Sequence, residues 1–242
     1  MESGRILGQN HIVKHFENAI KIGKISHAYI INGEKGTGKM QLAVDFAKAL
    51  QCEEFNGKAC GHCKSCKQTD SKNQPDIKYV TYEKSGIGVD EIREQINDDI
   101  DIKPYSSRYK IYIVDESEKM TVQAQNALLK TIEEPPEYAI IILLTTNADT
   151  FLPTILSRCV VLNIRPVKEE LIKNKLMSEY GIGAYEASVA AVFSGGNPGK
   201  AVELATSEDF KDLKNHVVGA LLSLEKGGMD VISNNVKEAD IF

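Results

Sequence analysis

The chain has 242 residues, 42% of them hydrophobic and 26% charged, a globular composition with length for one large domain and a smaller one. Its formal net charge of -5 excludes a protein that coats nucleic acid by itself, which needs clustered Lys and Arg, so any DNA contact is expected to be local or shared. No apolar run approaches the roughly 20 residues that span a bilayer, and Met1-Glu2-Ser3-Gly4-Arg5 has no apolar leader, so no membrane partner and a cytoplasmic location are expected.

In chain order, Ile12, Phe16, Ala19 and Ile20 recur at helical spacing, and Ala28-Tyr29-Ile30-Ile31 is a strand-type run ending at Gly33. Leu42, Phe46, Ala49 and Leu50 predict a helix out of that glycine loop. A cysteine-bearing segment interrupts before a second strand over 77–82. Val89, Ile92 and Ile96 set a helix within 87–100, Ile111-Tyr112-Ile113-Val114 reads as a buried central strand, and Ala124 to Ile132 is helical until Pro135-Pro136 stops it. Strands follow at 140–144 and 160–164. Strands alternating with helices predict an α/β domain whose parallel sheet is covered on both faces, because a parallel crossover needs a helix to return the chain. After Arg165-Pro166 the pattern is helical over 169–180, 184–193, 199–205, 210–224 and 231–241, predicting a small helical domain.

Gly33-Glu34-Lys35-Gly36-Thr37-Gly38-Lys39 follows a strand and opens a helix, the context a phosphate-binding loop requires. Its glycines let backbone N–H groups turn toward a phosphate, the helix N-terminus adds positive potential, and Lys39 reaches for the outer phosphates. ATP or ADP binding at Gly33, Gly36, Thr37, Gly38 and Lys39 is therefore open. The next residue, where a Ser or Thr hydroxyl holds magnesium, is Met40, whose thioether suits a hard cation poorly. Magnesium is expected to be poorly held and turnover to suffer.

Asp115-Glu116 sits at the carboxyl end of a strand, where open parallel sheets bind ligands. In an intact site the aspartate holds magnesium and the glutamate polarises the attacking water; here the pair reads as vestigial. Asn147, ending the next strand, has an amide able to sense a γ-phosphate, though alone it is a turn residue more often. Cys52, Cys60, Cys63 and Cys66 combine C-x-x-C steps with a fourth cysteine and match a closed, structural tetrahedral zinc site, with redox-active thiols as the alternative. His62 is superfluous as a ligand, and Cys159 reads as a buried small hydrophobe. Lys103, Arg108 and Lys110 form a basic stretch read as a solvated approach to the strand at 111–114.

Several segments together resemble the bacterial clamp-loader AAA+ family over essentially the whole chain: Ile6-Leu7-Gly8-Gln9, Ser26-His27-Ala28-Tyr29, Asn126 to Pro136, and Ser157-Arg158-Cys159. The resemblance implies an AAA+ domain over 1–165 with a zinc-binding insertion at about 52–66, a helical lid over 166–227, and the start of a truncated helical collar domain at 228–242. It implies that Arg158 is an arginine finger completing the ATP site of a neighbouring subunit. The implied partners are gamma/tau and delta subunits, a sliding clamp and, through the complex, primer-template DNA, at the replisome on the nucleoid. Met40, and Gly199 where motor subunits carry a sensing arginine, depart from the ATP-hydrolysing pattern. Those departures resemble the delta-prime type of subunit, a component of the DNA-directed DNA polymerase (nucleotidyltransferase) holoenzyme expected not to hydrolyse ATP by itself. The alternative is a working motor of gamma/tau type or another AAA+ replication ATPase.

Overall fold

A computed structural model describes residues 6–83 and 86–226, with side chains described to 219. The chain divides into two compact units, the boundary falling between Val167 and Lys168. In the first unit, α1 (Asn10–Lys21) leads to β1 (Ala28–Asn32), α2 (Lys39–Gln51) and α3 (Lys64–Asp70), followed by β2 (Ile77–Val80). Next come α4 (Val89–Ile92), a π turn (Arg93–Asn97) and α5 (Asp98–Ile100), which run on as one rod, then β3 (Lys110–Val114) and α6 (Val122–Glu133). β4 (Ala139–Thr145), α7 (Pro153–Leu156) and β5 (Val160–Asn163) complete the unit.

The five strands form one sheet in the order β2-β3-β4-β1-β5, every pairing parallel. Side chains alternate between faces along a strand, so each inner strand feeds two cores. Tyr29, Ile31, Ile111, Ile113, Ile140 and Ile142 pack with Phe16 and Ile20 of α1 and with Leu42, Phe46 and Leu50 of α2. Ala28, Ile30, Tyr112, Val114, Ile141 and Leu143 pack on the other face with Ile92, Ile96, Leu128 and Ile132. This double coverage explains the uninterrupted apolar runs of β3 and β4, every residue of which is buried, whereas edge strand β5 alternates half-buried and exposed. Register brings Asn32 opposite both Thr145 and Asn163, so the loops after β1, β4 and β5 leave the sheet side by side. Far apart in sequence, Gln9 and Arg165 clip the two ends of the unit: Gln9 Nε2 donates to the Arg165 carbonyl at 2.6 Å, and the Arg165 amide donates to Gln9 Oε1 at 3.1 Å.

Two local features depart from the sequence pattern. The segment read as an interruption contains α3, whose inner face is Ser65, Cys66 and Thr69, so no apolar stripe announced it. Lys110, read as solvated, is buried: its Nζ pairs with Asp99 at 2.9 Å and donates to the carbonyls of Asp99 and Ile102. Arg108 in turn lies over the Phe55 ring, 4.3 Å from its centroid. The basic stretch is thus spent on the fold at two of its three positions.

The second unit holds α8 (Glu169–Tyr180), α9 (Ala184–Phe193), α10 (Pro198–Thr206) and α11 (Glu208–Lys226). The unit buries Ile172 and Leu176 of α8 with small residues on the next two helices, Ala187, Ala190 and Ala191 of α9 and Ala201 and Ala205 of α10. Gly181 closes α8 in the left-handed region, and Asn197 caps α10 by accepting from the Gly199 and Lys200 amides. The helix expected at 231–241 and the collar segment at 228–242 lie outside the described residues. No helix among the described residues is long and apolar enough to cross a membrane.

Candidate phosphate loop, arginine and cysteine cluster

The loop after β1 turns into α2 through Gly36 and Gly38, both left-handed at φ 85° and 88°, a conformation that favours glycine. Gly33 is required for space: a Cβ there would stand 2.8 Å from Ile164 Cβ. Lys39 is buried at the start of α2, and its Nζ donates to the loop's own carbonyls, Gly33 at 2.7 Å and Glu34 at 2.9 Å. Burial lowers its pKa, while the charges of Glu118, Asp115 and Glu116 act against that fall. The Thr37 hydroxyl donates to the Glu34 carbonyl at 2.7 Å. Met40, the residue that would have to serve magnesium, is half-buried and packs against the core beneath α1 and α2. The donor set fits a phosphate group and does not fit magnesium, because the hydroxyl that would hold the metal is replaced by a thioether.

The acidic pair is present but engaged elsewhere. Asp115 is exposed and its Oδ1 accepts from the Glu116 amide at 2.9 Å. Glu116 is held at positive φ, and its Oε2 accepts from the Tyr82 hydroxyl and, at 2.7 Å, from Lys119 Nζ. Those two contacts, the lysine first, lower the Glu116 pKa and keep it ionised. Glu118 is bound instead to the end of β4, accepting from Thr146 Oγ1 at 2.7 Å and from its amide at 3.2 Å. Asn147 uses its side-chain oxygen to cap the next turn at the Asp149 amide, 3.0 Å away. Tyr82, 34 positions from Glu116, is the neighbour that sequence reading missed. Only the three-residue step from Glu116 to Lys119 gave a signal.

Arg158 follows α7 on the surface of the same unit. Its Nη2 pairs with Glu133 Oε1 at 2.9 Å, while Nη1 donates to the Thr154 carbonyl at 3.1 Å and the Ser157 hydroxyl at 3.3 Å. The next residue, Cys159, packs against the core around α6, and burial pushes its thiol up to about 12, which makes it a poor nucleophile.

The four clustered cysteines do come together. The sulfurs of Cys52, Cys60, Cys63 and Cys66 all lie within 4.8 Å of one another, close enough for one ion. Backbone N–H groups point at three of them: Cys60 to Cys52 Sγ at 3.3 Å, Cys63 to Cys60 Sγ at 3.3 Å, and Cys66 to Cys63 Sγ at 3.4 Å. Amides aimed at sulfur favour thiolates, the form that binds metal. His62 stands exposed beside the cluster and contacts Glu54 at 3.1 Å; with Glu54 and Cys60 it forms a second, more exposed group of three.

Comparison with known proteins gives a consistent picture. Residues 8–168 match the family described as DNA polymerase III, delta subunit. The chain is 31% identical over 211 residues to DNA polymerase III subunit delta' of Bacillus subtilis, covering 87% of this chain and 63% of that one. It is 37% identical over 198 residues to subunit tau of the same organism, covering 80% of this chain and 35% of that one. The chain therefore spans about a third to two thirds of the length of these relatives. Among solved structures, a DNA polymerase III gamma subunit-related protein of Thermotoga maritima aligns with a TM-score of 0.50 at 27% identity, over 85% of this chain and 65% of that one. The RuvB branch-migration motor of the same organism, at a TM-score of 0.55 and 17% identity over 98% of this chain and 71% of that one, shares the fold.

Proposed function

We propose, since this chain belongs to the DNA polymerase III, delta subunit family of clamp-loader AAA+ proteins, that it serves as a delta-prime-type subunit: a component that completes a neighbour's ATP site with Arg158 while its own phosphate loop stays hydrolytically idle. The observation that carries this reading is Met40, a half-buried thioether packed against the core at the position where a catalytic loop presents an oxygen. Everything needed to act on ATP held by this chain is compromised or engaged: Lys39 lies on loop carbonyls, Glu116 is tied to Tyr82 and Lys119, and Gly199 carries no cation. Arg158, by contrast, is at the surface. A guanidinium is always charged and neutralises charge developing on a transferring phosphoryl group, an effect worth about three to five orders of magnitude in GTPases.

The partners follow from this reading: gamma/tau and delta subunits, a sliding clamp in transit, and primer-template DNA through the complex, in the cytoplasm at the replisome. Residues 1–165 serve as the AAA+ domain and 166–227 as its lid. The four-cysteine cluster takes a structural zinc, because four thiolates close its coordination and leave no position for substrate. The second reading, a gamma/tau-type motor, draws on the 37% identity to tau.

ATPase assays of the assembled clamp loader, with clamp and primed DNA, separate the two. In the proposed role Arg158→Ala abolishes most turnover and Lys39→Ala leaves it near normal. The reverse pattern makes this chain a motor and overturns the proposal.

A further inference from the structure

The partner of Arg158 lies on another element. Glu133 ends α6, and the prolines at 135 and 136 stop the helix just beyond it, so its carboxylate starts from a fixed backbone. A negative charge in the last turn of a helix is unfavourable by itself, because the helix dipole is negative there. That position is relieved by Arg158 Nη2 at 2.9 Å. The other terminal nitrogen is held at the same time by the Thr154 carbonyl and by Ser157 Oγ, and Ser157 in turn donates to the Thr154 carbonyl at 3.1 Å. A lone surface arginine samples many rotamers. This one is fixed at both terminal nitrogens, yet its side chain remains 40% exposed, so the fixed group still faces solvent.

From this geometry we infer that Glu133 is the positioning residue of Arg158, holding its guanidinium in one orientation before a nucleotide-bearing neighbour arrives. The inference rests on the reading of Arg158 as a group acting in trans. Glu133 touches neither nucleotide nor reacting atoms; it removes rotamer freedom that would otherwise be lost when the arginine meets the phosphates. An ordered side chain of this kind changes a rate by about two- to tenfold. The effect belongs in kcat, since the arginine's contact strengthens as charge develops in the transition state. A glutamine keeps an acceptor oxygen toward the guanidinium and relieves the last turn of its negative charge, so it is expected to restore most of the orientation.

The test uses the clamp loader assembled from full-length subunits, with Glu133→Ala, Glu133→Gln, Arg158→Ala and the double variant Glu133→Ala/Arg158→Ala in this chain. Steady-state ATP hydrolysis gives kcat and KM, and thermal unfolding of each variant chain checks the fold. Expected are a two- to tenfold lower kcat at constant KM for Glu133→Ala, near-normal kcat for Glu133→Gln, and no further loss when Glu133→Ala is added to Arg158→Ala. Unchanged or raised turnover in Glu133→Ala overturns the inference, the raised value marking the carboxylate as a competitor for the arginine. An equal loss in both Arg158 backgrounds also overturns it, because Glu133 then acts through the fold. If Arg158→Ala itself leaves turnover intact, the trans reading fails, and the positioning role falls with it.

Discussion

Lys39 Nζ lies 2.7 Å from the carbonyl oxygen of Gly33, so the cation of the phosphate loop rests on the backbone that would have to receive the phosphate. An incoming nucleotide has to draw this ammonium off that carbonyl and off Glu34, and at Met40 it finds no oxygen for a bridging magnesium. Nucleotide affinity of the unmodified chain is therefore expected to change less than about twofold when magnesium is chelated. Met40→Thr should bind about tenfold more tightly with magnesium than without it. Titration of a fluorescent ATP analogue with and without EDTA measures both. A strongly magnesium-dependent Kd in the unmodified chain would mean that Asp115 and water suffice to hold the metal.

The inner strands were legible because burial on both faces leaves an unbroken apolar run: Ile111 to Val114 and Ile140 to Leu144 each lie within the strand found. Helices α8 and α9 begin and end where their sequence pattern does. Legibility failed where polar groups satisfy one another inside the fold. Helix α3 buries Ser65 and Thr69, Lys110 neutralises Asp99, and the rod from Val89 to Ile100 contains a π turn that no spacing rule foretells. At the candidate site the residue types were readable from motifs. Their engagement, Glu116 with Tyr82 and Arg158 with Glu133, joins residues 34 and 25 positions apart and is visible only in three dimensions.

Gly33→Ala tests how closely β1 and the residue following β5 approach. The added methyl group would sit 2.8 Å from Ile164 Cβ and 3.1 Å from Thr37 Oγ1, so either the loop or the chain after β5 must shift. A loss of about 1–3 kcal/mol in urea unfolding is expected. Gly219→Ala is the contrast: within α11 a methyl group meets none of the described residues within 4 Å, and the better helix propensity should add about 0.5–1 kcal/mol. Equal effects at the two positions would show that the contact with Ile164 is unimportant.

Asp99 gives the fold an acid-sensitive joint. Its burial raises its pKa, but Lys110, Lys78 and the Tyr112 hydroxyl, all within hydrogen-bonding reach, outweigh that and bring it below the ordinary carboxylate value. A carboxyl whose folded pKa is depressed contributes stability that is complete above its unfolded value, about pH 4, and is lost as pH falls through the folded one. Asp99→Asn leaves buried Lys110 with carbonyl partners only and should cost about 2–4 kcal/mol near neutral pH. It should also flatten the fall in stability as pH drops below about 4. Chemical denaturation across that range, for both proteins, decides the matter. Parallel pH profiles would assign the acid sensitivity to other carboxylates.

The cysteine cluster makes the sharpest demand on a single ligand. The loop between α2 and α3 packs Phe55 and Ala59 against the core, while the buried face of α3 is Ser65, Cys66 and Thr69, so the cysteines have a large share in fixing this segment. With four sulfurs within 4.8 Å of one another and three backbone amides directed at them, the purified chain is expected to contain about one equivalent of zinc by mass spectrometry. Removing it with a strong chelator, or replacing Cys66 by Ser, should lower the unfolding temperature by about 5 °C or more, because the binding free energy of a closed site is folding free energy. Chelation should also make Cys63, whose thiol is lowered to about 7, reactive while Cys159, with its thiol pushed up to about 12, stays slow. His62→Ala should leave metal content unchanged, since His62 is exposed and four sulfurs suffice for a four-coordinate ion. Metal lost in His62→Ala but retained in Cys66→Ser would move the ion to Glu54, Cys60 and His62. A metal-free chain whose melting ignores the chelator would leave these cysteines as free thiols.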